Sequence, residues 1–284
     1  MKQKQHSISG VTLIEILIGI VISTIMMGAM FVSYTAVNNS YGQVSDKAKI
    51  SQSSRILIGM IVKDVRMAGF KYFNDTIKTT DEHIPILITK SKDFKKECDK
   101  IEIVYGDMWY DNFTKNSTYE RFKVSYFCEK SKIIDKNKSG SSTVYVDAFA
   151  VYKEKVKWDV NKSDWADPET DKLVVGGGSL ADERTYSKEK VVDYIEDLIF
   201  HPIDEKGKLI TPPPTVTNSN KDLIYKIKTV DISVTKRSKK EFYRENKYVI
   251  KKSLEDAKRN IKKTDKYLRE TIIISASTRN LGLL

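Results

Sequence analysis

Proline is absent from the first 84 residues of this 284-residue chain and occurs six times in all. A long early helix is therefore free of the residue that most often breaks one. Histidine is scarcer still: His6, His83 and His201, with Cys98 and Cys128, match no metal-ligand spacing, and no metal is expected. Charge is missing locally. Glu15 is the single charged side chain between Val11 and Ser45, although 31% of the whole chain is charged. The motifs of acyl transfer (G-x-S-x-G), phosphate binding (GxxxxGK[ST]) and zinc hydrolysis (HExxH) are all absent, so neither a catalytic set nor a cofactor is expected.

What is present begins with an apolar run. A helix of about 20 apolar residues crosses the hydrocarbon core of a bilayer, and Val11–Phe31 fits that length, with the span extending to about residue 34. Lys2 and Lys4 precede it and no acid does, which places the N-terminus in the cytoplasm and the remainder outside. Glu15 is costly there, by about 2.5–3.5 kcal/mol for a lone carboxylate at the centre of the span. Were the chain cut after Gly10, Val11 would carry a free amine. A neighbouring copy's amine could then neutralise Glu15, which becomes a device for setting register between stacked helices. The bland alternative is a glutamate snorkelling at the membrane edge.

The stretch SGVTLIEILIGIVI (residues 9–22) resembles the type III signal sequence of type IV pilins and type II secretion pseudopilins. The resemblance implies an α+β, pilin-like fold: a long N-terminal helix, its first half membrane-spanning, packed on an antiparallel sheet. It implies a leader over residues 1–10 removed by a prepilin peptidase after Gly10. It also implies N-methylation of Val11 and assembly through Glu15. The family usually has Phe at the first mature position, where this chain has Val11. KDVRMAGF (63–70), VVDYIEDLIFHPIDEKGKL (191–209), IKTVDISVTKRS (227–238) and RETIIISASTRNL (269–281) resemble PilW-like minor pilins, in order along the chain. The family tends to Tyr where this chain has Pro202. A minor pilin is therefore expected, in the bacterial inner membrane with its head periplasmic and then in a filament at the cell surface. Its partners would be other minor and major pilins, and its work adhesion, motility or uptake. A minor pseudopilin of the type II secretion tip complex is the nearest alternative.

Periodicity carries the helix on past the apolar run. Val37, Tyr41, Val44 and Ala48, then Leu57, Ile61 and Val65, recur at helical spacing. A helix over 11–67 is expected, roughly 85 Å at 1.5 Å per residue, with Gly28 and Gly42 as soft points. Ala68-Gly69-Phe70 ends it, and the head over 68–284 reads as β-strands: 84–89, 100–107, 120–128, 143–153, 191–202, 225–237 and 270–280. Cys98 opens one strand and Cys128 closes another. If the two pair antiparallel, a disulfide between them is expected in an oxidising compartment; two buried free thiols are the alternative.

Two polar features stand apart. DPETD (167–171) and GGGS (176–179) read as solvated turns, without the ligand spacing of a calcium loop or the context of a phosphate loop. Residues 236–270 carry 14 Lys/Arg against six acids. A basic surface helix over about 236–266 is expected, supported by pairs such as Glu255 with Lys258 and Arg259. Tyr243, Tyr248 and Tyr267 interleave with its cations, so nucleic acid is the partner this segment would otherwise suit.

Overall fold

A computed structural model describes residues 10–70, 84–91, 98–111, 115–134, 144–168, 173–175, 178–180, 184–215, 221–243, 245–251 and 261–281. The leader through Ser9, most of DPETD, Gly176-Gly177 and the Glu255/Lys258/Arg259 group lie outside these residues.

The chain divides into two units, Met1–Ala48 and Lys49–Leu284. Helix α1 (Leu13–Met67) supplies residues to both and runs without interruption through Gly28 and Gly42. In the first unit its side chains from Leu13 to Val32 are exposed and almost wholly apolar. By length and composition it is long and apolar enough to cross a membrane.

In the second unit α1 lays one stripe on the head. Leu57, Ile61 and Val65 recur every fourth residue and are fully buried, with Ile58 beside them. Each such side chain contributes about 1.5–3 kcal/mol by leaving water. The helix stops where expected. Gly69 takes φ +72°, a left-handed value that glycine adopts without penalty. Its N–H donates to the carbonyl of Val104, and Gly106 N–H donates to Phe70 O.

The strands are β1 (Ile86–Thr89), β2 (Lys100–Asp111), β3 (Asn116–Lys130), β4 (Phe149–Asp159), β5 (Asp164–Trp165), β6 (Leu173–Val175), β7 (Gly178–Leu180), β8 (Tyr186–Ile203), β9 (Thr229–Arg237), β10 (Lys247–Lys251), β11 (Ile261–Asp265) and β12 (Arg269–Ser277). The fold is α+β: the long helix, then an antiparallel curled sheet in the order β1-β2-β3-β4-β8-β9-β12, with β5 on β4. Most strands begin or end within a few residues of their expected positions. The fourth differs, because residues 144–148 make only an isolated bridge and the strand proper is Phe149–Asp159.

β8 explains the curl. Its first part, to Ile195, pairs with β4 and its last part, Ile195–Ile203, pairs with β9, with register shifts between. The edge that β8 leaves open near Leu198 is met by Asp99: its N–H donates to Leu198 O (2.8 Å) and its carboxylate accepts from Phe200 N–H (3.1 Å). Lys90 Nζ donates to Phe200 O (2.8 Å) and stands 3.3 Å from the same carboxylate.

Val230, Ile232 and Val234 alternate with Asp231 and Ser233, a pattern that predicts a half-buried strand at β9. Val230, Ile232 and Val234 do enter the core, but Ser233, Thr235 and Arg237 are buried as well. The strand sits between β8 and β12, and Tyr267 returns from the 238–268 excursion to lie 4.2 Å from the Arg237 guanidinium.

Candidate functional site

The start of α1 is the first candidate. Thr12 and Glu15 lock reciprocally: Glu15 N–H donates to the Thr12 hydroxyl oxygen (3.4 Å), while Thr12 N–H and Thr12 hydroxyl both donate to Glu15 Oε2 (3.0 Å each). This is a capping box, in which the residue before the helix and the third residue inside it satisfy each other's backbone donors. The signal lies in the sequence beside the Gly10–Glu15 interval: Thr12-x-x-Glu15 before an apolar run is the signature of such a box.

Gly10 and Val11 stand just outside the box, both exposed. A Cβ built on Gly10 would meet nothing within 4 Å. Packing in this chain therefore does not demand glycine there, and a requirement for it would have to come from a molecule that grips the segment.

In the head, the structure gathers residues that the sequence pattern did not connect. Asp64, on the buried stripe of α1, accepts a hydrogen bond from the Tyr126 hydroxyl of β3 (2.5 Å) and an ion pair from Lys153 Nζ of β4 (2.9 Å). Burial, the Asp64 charge and the hydrogen bond all push the Tyr126 hydroxyl far above its ordinary pKa, so Tyr126 is a permanent donor. Burial alone would lower the Lys153 pKa, but Asp64 and Tyr186 together outweigh it and the ammonium is held above its usual value. The group is a weld between helix and sheet: donors and acceptor are matched, and the charges are paired. A signal was available in KDVRMAGF, where Asp64 falls on the apolar face of the helix between Ile61 and Val65.

Cys98 and Cys128 are joined in a disulfide, with Cα atoms 5.9 Å apart. β2 and β3 pair antiparallel with Ile101 opposite Tyr126, so the start of one strand lies beside the end of the other. The bridge also steadies Asp99, the next residue, which fastens the open edge of β8.

The described parts of the basic segment contain strands where a helix was expected. Residues 247–251 and 261–265 pair as an antiparallel ladder, Lys247 with Asp265 through Lys251 with Ile261, and Lys236 and Arg237 belong to β9. Neither KYVIK nor IKKTD alternates apolar with polar residues, so nothing in their local pattern marks them as strands. Many of its cations are also engaged internally. Arg269 makes a two-pronged pair with Glu196 (Nε–Oε2 2.6 Å, Nη2–Oε1 2.8 Å) and a second with Asp265 (Nη1–Oδ1 2.7 Å, Nη2–Oδ2 2.6 Å). Lys263 reaches Asp147 at 3.3 Å, Lys247 lies over Tyr243 at 4.4 Å and Arg237 over Tyr267. Of the three tyrosines offered for base stacking, two already face cations of their own chain. Tyr248 remains exposed.

No family model matches the chain, and no curated protein does. Among solved structures it is similar to a type IV-like pilin from Thermus thermophilus, with a TM-score of 0.47 and 9% identity over 81% of this chain and 96% of that one.

Proposed function

We propose that this chain is a PilW-like minor pilin, a structural subunit that enters type IV pili and helps to initiate their assembly. The observation that carries this reading is the N-terminal segment. A basic leader ends in Gly10, and an apolar helix follows with one carboxylate, Glu15, at the fifth position after it. The exposure of the apolar face from Leu13 to Val32 supports it, since such a surface needs lipid or other helices around it. The T. thermophilus protein is described as a type IV-like pilin, in keeping with this reading but adding no weight to it.

In the mechanism that follows, a prepilin peptidase cuts after Gly10 in the inner membrane and Val11 becomes the methylated terminus. The helix then leaves the bilayer for the filament core, and the Val11 amine of one subunit neutralises Glu15 of the next. The head remains periplasmic until the filament carries it to the surface, beside other minor and major pilins. A type II secretion pseudopilin uses the same segment, and the genes next to this one separate the two. A DNA-uptake role has less support, because so many cations of the 236–270 segment have internal partners.

The capping box provides the test. Glutamine can serve at that position of the box as glutamate does, but it carries no charge for an amine to meet. Glu15→Gln should therefore be processed to begin at Val11, as mass spectrometry of the mature chain would show, yet be absent from sheared filaments. Glu15→Gln subunits entering filaments at the normal level would mean that capping is all Glu15 does. An N-terminus still at Met1 in the native protein would remove the proposal altogether.

A further inference from the structure

The last strand of the sheet leaves one side open. β12 hydrogen-bonds to β9 in a register without shifts from Arg269 opposite Arg237 to Ser277 opposite Thr229. It lies at the end of the strand order, and among the described residues no backbone hydrogen bond reaches the other side of Thr271–Ser277. Sheet edges are normally guarded by lysine, proline, a bulge or a covering loop. Thr271-Ile-Ile-Ile-Ser-Ala-Ser277 has no charge, no proline and no bulge. Ile273 is 51% exposed, and Ile274, on the core-facing side with Ile272 and Ala276, is still 40% exposed. The apolar layer of the sheet thus runs out to a rim that nothing in the described chain completes.

We propose that β12 is a strand-addition surface and that its occupant is β12 of a second copy of this chain, paired antiparallel about Ile273. The sequence of the strand selects that occupant. With Ile273 opposite its own counterpart, Ile272 faces Ile274 and Thr271 faces Ser275. Branched apolar side chains therefore meet branched apolar ones and hydroxyls meet hydroxyls, the cross-strand pairs that stabilise antiparallel ladders. At the ends Arg269 faces Ser277 and Glu270 faces Ala276, so no like charges are opposed. The arrangement is self-complementary, as a two-fold interface requires, and it adds main-chain hydrogen bonds that the lone edge cannot make. The net charge of +11 opposes the approach of two copies, so association strengthens as salt screens it.

The test uses the purified full-length chain in detergent with single cysteines at exposed β12 positions. In the proposed pairing the two Ile273 Cα atoms are about 5 Å apart, within reach of a disulfide. The two Ser277 Cα atoms are about 26 Å apart, eight residues at about 3.3 Å each. Ile273→Cys should give a covalent dimer on non-reducing gels under mild oxidation, in higher yield at high salt, and Ser277→Cys should stay monomeric. Association through the apolar helices alone gives no such dependence on position. A monomeric Ile273→Cys, or equal cross-linking of the two variants, would overturn the proposal while leaving the pilin reading untouched.

Discussion

Asp64 shows how much can rest on one carboxylate. It is buried on the helix stripe and holds both the Tyr126 hydroxyl and the Lys153 ammonium. Removing one partner of a buried pair leaves the other charged and unmatched, which costs about 3–5 kcal/mol. Asp64→Ala should lose that much in chemical denaturation, whereas Tyr126→Phe, deleting one hydrogen bond and no charge, should lose about 1–2 kcal/mol. Equal losses would show that Lys153 reaches water when Asp64 is gone. Glu15 is the contrasting residue. Its partner within the chain is Thr12, and on the proposed function a neighbouring subunit would answer the charge itself. The first carboxylate closes the head on itself, whereas the second lies on the exposed apolar part of the helix.

Among the elements, the β10–β11 hairpin is joined to the sheet through Asp265, Arg269 and Glu196. Burial raises the Asp265 pKa, but hydrogen bonds from Arg269 and from Tyr267 N–H, with the charges of Arg269 and Lys263, hold it below the usual 3.8. A depressed carboxylate contributes stability above its unfolded pKa and loses it as pH falls below that value. Wild type should therefore melt above Asp265→Asn at pH 7, and the two melting curves should converge as pH drops below 3.8. A constant gap between them would assign the effect to packing. Here the structure departs from the helix that the charge spacing predicts. KYVIK and IKKTD are short and dense in lysine, and what makes them strands is their pairing with each other, Tyr248 opposite Thr264 and Val249 opposite Lys263. The main strands announced themselves through alternating apolar residues, as in Ile101, Ile103 and Tyr105.

For the whole molecule, the division at Ala48 and Lys49 separates an apolar surface from a packed core. Every large side chain of the core lies at Ile50 or beyond, and the exposed apolar run lies before it. A fragment covering 49–284 should stay in solution without detergent and unfold in one cooperative transition by circular dichroism, while the full chain needs detergent. Loss of cooperativity in the fragment would show that the first part of α1 supports the head after all. A further chain-wide feature is the +11 charge, of which the 236–270 segment holds the largest share but spends much of it on Glu196, Asp265, Asp147 and nearby tyrosine rings.

Local pattern alone determined the long helix, its end at Met67, the apolar span, the isolated Glu15 and most of the strands. These follow from periodicity, from glycine at a left-handed turn and from the cost of charge in an apolar run, all properties of neighbouring residues. Only the tertiary structure decided that Asp64 meets Tyr126 and Lys153, that Asp99 fastens the second half of β8, that Lys247–Lys251 pairs with Ile261–Asp265 and that β12 is left at an edge. Those outcomes depend on residues from ten to about a hundred positions apart lying side by side, and sequence spacing carries no record of such distances.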